Sequence, residues 1–154
     1  MSVEHLDTFK TGAGLSGVEQ LRALLAAGRQ PSIGMTLDFQ LVEVDEKGFA
    51  AFEGVPGEHV YNPIGTVHGG YAATLLDSAC GCAVHAMLAP GQAYTTLELK
   101  IAYHKAMTKE TGKVRAEGRV LSIGRRAAFS EAKLLDSHGR LLASATSTLL
   151  VITP

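Results

Sequence analysis

The longest apolar stretch of the chain runs from Gly70 to Leu88, and its hydrophobic residues fall on all sides of a helical projection rather than along one stripe. That pattern predicts a helix buried all round and stopped by Pro90-Gly91. On both sides of it the period changes to two. Leu37, Phe39 and Leu41, with Val44 after one break, predict a strand over 35–44. Asp45-Glu46-Lys47-Gly48 reads as a hairpin turn, and residues 49–55 return antiparallel with Phe52 and Val55 among their anchors. Beyond the helix, residues 94–104 alternate with Thr95, Leu97, Leu99, Ile101 and Tyr103 on one face and Tyr94, Thr96, Glu98, Lys100, Ala102 and His104 on the other. One of these faces must pack on the helix. Residues 113–121, 126–135 and 140–152 predict three further strands. Ahead of all this, Ser16 and Glu19 stand at capping-box spacing before Leu21, Leu24 and Leu25, which predicts a short helix over about 16–27. Residues 1–14 are expected to be loosely ordered.

These elements add up to an α+β arrangement: a curved antiparallel sheet of about five or six strands that must curl around one long central helix. Residues 1–33 form an N-terminal segment with the short helix, and 34–154 the wrapped domain. At 154 residues the chain is long enough for one real core. A net charge of -1 with 19% charged residues gives no electrostatic footprint for nucleic acid or an anionic membrane. Met1 to Asp7 lacks a basic start followed by an apolar run, so the expected location is cytoplasmic. The central helix approaches bilayer-spanning length, but Asp77, His85 and the amphipathic strands around it argue for a core helix instead. Cys80 and Cys82 fall on nearly opposite sides of that helix, which predicts neither a bridge nor a shared metal.

The chemistry concentrates where this helix begins. Asp77 is the one formally charged group inside the apolar run if His85 is neutral, and an isolated buried carboxylate is costly unless paired, hydrogen-bonded or neutralised. An Asp facing water on a partly exposed helix is the plain alternative. Ala73, Thr74, Cys80 and Gly81, about one turn away, are small and leave space beside it, which tips the reading toward function. Gly69-Gly70 is either an ordinary tight turn or a helix start whose unpaired N–H groups suit an oxyanion developing on a carbonyl. Eight residues separate Gly69 from Asp77, about 12 Å along a helix axis. One carbonyl cannot touch both within a chain, so joint action requires two subunits with these helices antiparallel across a two-fold axis.

Asn62-x-x-Gly65-Thr66-x-His68-Gly69-Gly70, followed nine residues after His68 by Asp77, resembles the signature of the hotdog-fold thioesterases, in the branch typified by the phenylacetate-pathway (PaaI-like) acyl-CoA thioesterase. The resemblance continues through Tyr94 to Tyr103, Gly112 to Ala116, Gly124-Arg125 and Asp136 to Ala143, covering about residues 34–152. It implies an acyl-coenzyme A thioesterase in which Asp77 acts as general base or nucleophile, Gly69 polarises the carbonyl, His68 supports the site and Asn62 positions water or substrate. Small side chains beside Asp77 suggest an aromatic or medium-length acyl group. Thr96 lies on the strand that lines the site in similar enzymes, though a one-residue shift of register would put Thr95 there instead. Gly81 departs from relatives that carry a hydroxyl at that point. Gly70, Lys105, Arg125 and Arg126 stand where similar enzymes hold coenzyme A and its phosphates. The resemblance further implies a homodimer, with two dimers pairing into a homotetramer. No resident cofactor is expected, and His68, Asp77 and His85 lack metal-ligand spacing. Three alternatives stand beside this reading: Cys80 as nucleophile, a hotdog-fold acyl-thioester dehydratase, and a non-catalytic acyl-coenzyme A-binding protein.

Overall fold

The computed structural model describes residues 7–153. Among them are four helices, α1 (Thr8–Thr11), α2 (Gly17–Ala27), α3 (Ser32–Leu37) and α4 (Gly69–Ala86), and six strands. The strands are β1 (Phe39–Asp45), β2 (Phe49–Gly54), β3 (Ala93–Tyr103), β4 (Val114–Ile123), β5 (Ala127–Asp136) and β6 (Leu141–Ile152). They form one antiparallel sheet in the order β1-β2-β4-β5-β6-β3. The β1-β2 hairpin turns where Asp45 Oδ1 accepts from the N–H groups of Lys47 (2.8 Å) and Phe49 (3.1 Å), with Gly48 at φ 85°. No described helix is long and apolar enough to cross a membrane.

The sheet curls around α4, as the alternation and the central apolar run together require. Leu75, Leu76, Ala79, Cys80, Ala83 and Val84 are fully buried against inner-face residues such as Phe52, Val114, Ala116, Leu134 and Leu149. The sheet comes close to the helix backbone at Gly118 on β4, where an added Cβ would stand 2.2 Å from the Ala79 carbonyl oxygen. Burial is not complete all round, however. Ala73, Thr74, Asp77, Ser78 and Cys82 form a half-buried stripe and Gly70 is exposed, because the sheet closes over only part of the helix.

Capping at the N-terminal helices follows the sequence. Glu19 Oε2 accepts from the backbone N–H (2.8 Å) and hydroxyl (2.6 Å) of Ser16, and Gly28 ends α2 at φ 61°. This helix docks on the C-terminal end of α4 through Gly17, whose N–H donates to the Leu88 carbonyl (2.9 Å). A Cβ there would lie 1.7 Å from the His85 carbonyl oxygen, so only glycine allows the approach.

Four expectations need correction. The strand placed at 35–44 begins only at Phe39. Pro31 initiates α3, with the N–H groups of Gly34 and Met35 donating to its carbonyl, and Asp38 closes it in the left-handed region at φ 55°. The apparent alternation at Leu37 is thus helical. Val55 lies beyond the end of β2 and is exposed. Residues 8–11 are helical rather than loose, while residues 1–6 lie outside the described residues. Finally, β3 does not keep one pair of faces. Thr96 pairs with Leu149 and Glu98 with Thr148, leaving Leu97 as an extra residue in a β-bulge. The bulge switches the pleat, so Tyr94 and Thr96 face α4 before it, and Leu99, Ile101 and Tyr103 face α4 after it.

Candidate active site

The loop before α4 is built by Asn62. Its Oδ1 accepts from the N–H groups of Ile64 and Thr66 (both 3.1 Å), and its Nδ2 donates to Thr66 Oγ1 (2.8 Å). Most of the amide's hydrogen-bonding capacity therefore goes into shaping the loop. His68 caps the helix: its backbone is extended (φ -61°, ψ 137°), and Nδ1 accepts from the Gly70 N–H at 2.8 Å. Because Nδ1 accepts, a neutral ring carries its proton on Nε2, at the exposed edge. The Gly70 donor is thereby occupied. The Gly69 N–H, by contrast, donates to no described group, as expected of a first-turn amide. Tyr103 fixes this glycine from the side by donating its hydroxyl to the Gly69 carbonyl at 2.9 Å. Period-two reading put Tyr103 with the wrong partners and gave no reason to single it out; the bulge at Leu97 is what turns it inward.

Two turns along α4, half-buried Asp77 accepts from the Thr96 hydroxyl, Oγ1 to Oδ1, at 3.1 Å. Thr96, rather than Thr95, thus meets the carboxylate; Thr95 is exposed on the outer face. Asp77 Oδ2 accepts from nothing among the described residues. Since α4 runs antiparallel to β3, the contacts form rungs: Gly69 with Tyr103, Asp77 with Thr96, and Gly81 and His85 with Tyr94. Beyond the last rung, His85 Nε2 is 2.7 Å from Gln20 Oε1 of α2. Burial pushes the His85 pKa down to about 4, so the ring is neutral and Nε2–H is the donor. Cys80 is buried and burial raises its thiol to about 11, an inert setting for a nucleophile.

The candidate phosphate-binding cations do not converge within one chain. Lys105 is exposed just past the Tyr103 end of β3, its backbone N–H on the Leu142 carbonyl (3.0 Å). Arg125 and Arg126 are exposed at the β4-β5 turn, beside Leu150 and so at the Thr95 end of β3. The length of β3, about 33 Å, separates the two groups. None of the three side chains forms an ion pair with a described residue. Among the described residues, no three His, Cys, Asp or Glu side chains are grouped so as to hold a metal ion.

Comparison with known proteins gives this geometry its family. Residues 64–143 match the model of the thioesterase superfamily. The 1,4-dihydroxy-2-naphthoyl-CoA hydrolase of Listeria monocytogenes is 30% identical over 116 residues, covering 75% of this chain and 92% of that protein. The proofreading thioesterase EntH of Klebsiella pneumoniae is 32% identical over 95 residues, 62% of this chain and 68% of that one. A solved structure, the phenylacetic acid degradation-related protein of Ralstonia eutropha JMP134, superposes with a TM-score of 0.75 at 27% identity, covering 84% of this chain and 98% of the other. The chain belongs to the thioesterase superfamily, as a hotdog-fold, PaaI-like thioester hydrolase.

Proposed function

We propose that this protein hydrolyses an aromatic or medium-chain acyl-coenzyme A to the free acid and coenzyme A at a site shared by two subunits. One observation carries the reading: α4 offers an unused donor, the Gly69 N–H, at its start and an unused acceptor, Asp77 Oδ2, two turns later. They are about 12 Å apart along the axis and cannot meet on one carbonyl. A two-fold axis with antiparallel α4 helices would set Asp77 of one protomer opposite Gly69 of its partner. The half-buried stripe of small residues on α4 is the surface such a pairing would use. The same axis would bring the Arg125–Arg126 end of one β3 toward the Lys105 end of the other, which accounts for their separation within one chain.

In this site the Gly69 N–H stabilises the oxyanion, and His68 holds the helix start in place by occupying the Gly70 donor. Gly70, lacking a side chain, leaves room for the thioester to approach. Asn62 keeps the entry loop closed on itself and has one Nδ2 proton left for water or substrate. Thr96 orients the Asp77 carboxylate, which takes a proton from water or attacks the carbonyl carbon directly. Lys105, Arg125 and Arg126 bind the phosphates of coenzyme A. The dihydroxynaphthoyl group in the name of the Listeria relative supports the aromatic half of the acyl range. Exposed Leu97, Leu121 and Phe129 on the outer face of the sheet support a second pairing, dimer to dimer.

Free-thiol release from a panel of aromatic and aliphatic acyl-coenzyme A substrates, compared between wild type and Asp77→Asn, tests this. Turnover that falls by orders of magnitude in a folded variant is the expected result. Equal rates would remove Asp77 from the chemistry, and no release from any substrate would favour the dehydratase or the binding protein.

A further inference from the structure

Each of the two glycines at the start of α4 makes room for a side chain that holds it. A Cβ added at Gly70 would stand 2.8 Å from His68 Nδ1, the atom that accepts the Gly70 N–H. One added at Gly69 would stand 3.0 Å from Tyr103 Oη, 3.1 Å from Cζ and 3.3 Å from Cε1, so the tyrosine ring fills the space a side chain at Gly69 would take. From there the Tyr103 hydroxyl donates to the Gly69 carbonyl at 2.9 Å. That carbonyl and the Gly70 N–H belong to one planar peptide group. It is gripped at its oxygen from β3 and at its nitrogen from the loop before the helix.

The grip acts where the backbone is least restrained. Glycine has more conformational freedom to lose than any other residue, and helix ends fray. The peptide that carries the Gly69 N–H is held as well: the His68 carbonyl accepts from the Tyr71 N–H at 3.0 Å, and the His68 N–H donates to the Val60 carbonyl at 2.8 Å. With both flanking peptides anchored, the Gly69 N–H has one direction, and it points at no described acceptor. An oxyanion donor is effective to the extent that it is aimed before the charge develops. Tyr103 is 57% exposed, so water can take the place of its hydroxyl on the Gly69 carbonyl. Water has no fixed seat there, and direction is what the ring adds.

We propose that Tyr103 is a positioning residue for hydrolysis, its hydroxyl anchoring the Gly69–Gly70 peptide so that the Gly69 N–H stays aimed at the developing oxyanion. The proposal rests on the reading of Gly69 as the oxyanion donor. Its test compares wild type, Tyr103→Phe and Gly69→Pro on the acyl-coenzyme A thioester that wild type turns over fastest, with hydrogen exchange at the Gly70 amide followed by NMR. Tyr103→Phe keeps the ring and deletes the hydroxyl. It should lower kcat by about three- to tenfold and leave KM within about twofold, because the lost restraint matters only in the transition state. Exchange at Gly70 should quicken by a similar factor, a change that loss of a substrate contact would not produce. Unchanged kcat in Tyr103→Phe, or a loss carried entirely by KM, overturns the proposal. So does a fall in kcat without faster exchange, which would mean that the hydroxyl meets the substrate itself. Gly69→Pro keeps the two readings apart. If it abolishes most turnover while Tyr103→Phe has no effect, the oxyanion donor stands and the anchor falls. If Tyr103→Phe lowers kcat and quickens exchange but Gly69→Pro leaves kcat unchanged, the anchored turn serves the reaction through some group other than the Gly69 N–H, and the oxyanion reading falls together with the role proposed for Tyr103.

Discussion

Thr96 and Thr95 are adjacent, chemically identical, and placed on opposite faces of β3, which makes them a controlled pair. Only Thr96 reaches Asp77. A hydrogen bond to a charged group is worth about 1.5–3 kcal/mol, so Thr96→Ala should lower kcat/KM by about ten- to a hundredfold. Thr95→Ala should leave it within about twofold, as an exposed substitution with no partner does. Equal losses in both variants would mean that the Asp77 contact carries nothing. At this scale the candidate residues and their placement were readable: an acid in an apolar helix, a glycine pair at its start, a hydroxyl on the neighbouring strand. What residue types could not give was occupancy. His68 takes the Gly70 N–H and leaves the Gly69 N–H, and this division follows from one cap geometry that no spacing encodes.

Among elements, α2 and its seat on α4 form the most sensitive junction. Gly17 meets the His85 carbonyl so closely that Gly17→Ala cannot be accommodated without moving α2 away. Overpacking of this kind costs about 1–3 kcal/mol, and the variant should show a lowered Tm by thermal denaturation. His85 gives the same junction a pH dependence. Its pKa is lowered in the folded state, to about 4 from 6.5, so the unfolded chain binds the proton first as pH falls. Stability should therefore decline between about pH 6.5 and 4, by roughly 3 kcal/mol from this group, and owe no further change to it below that. Tm measured across that window should fall less in His85→Gln than in wild type; parallel curves would show that His85 is not the titrating group. The helices and strands themselves were largely visible in their periods, and the two elements that were not have physical causes. The α3 turn hides because Leu37 happens to continue the alternation of Phe39 and Leu41. The bulge at Leu97 hides because one extra residue reverses a pleat without changing composition, and it is this reversal that turns Tyr103 toward Gly69.

For the whole molecule, the decisive question is whether one site draws on two chains, and the start of α4 allows a clean way to ask it. Gly69 is the first helical residue, a position where the N–H has no helical acceptor and proline is tolerated. The preceding residue, His68, already has the extended backbone that proline demands of its neighbour. The Cβ would come within 3.0 Å of Tyr103 Oη and 3.1 Å of Cζ, so the tyrosine ring must draw back by a few tenths of an ångström. Gly69→Pro should thus remove the proposed oxyanion donor while keeping α4, lowering kcat by about a hundred- to a thousandfold. Asp77→Asn removes the carboxylate proposed to act with it. If each site pairs Gly69 of one chain with Asp77 of the other, a heterodimer of the two variants holds one intact site and one that lacks both groups. Denaturing the two inactive proteins together and refolding them at equal amounts should then restore about a quarter of wild-type activity, since half the dimers are mixed and half their sites are whole. Sites confined to single chains would give no restoration at any mixing ratio, because every chain in the mixture carries a lesion.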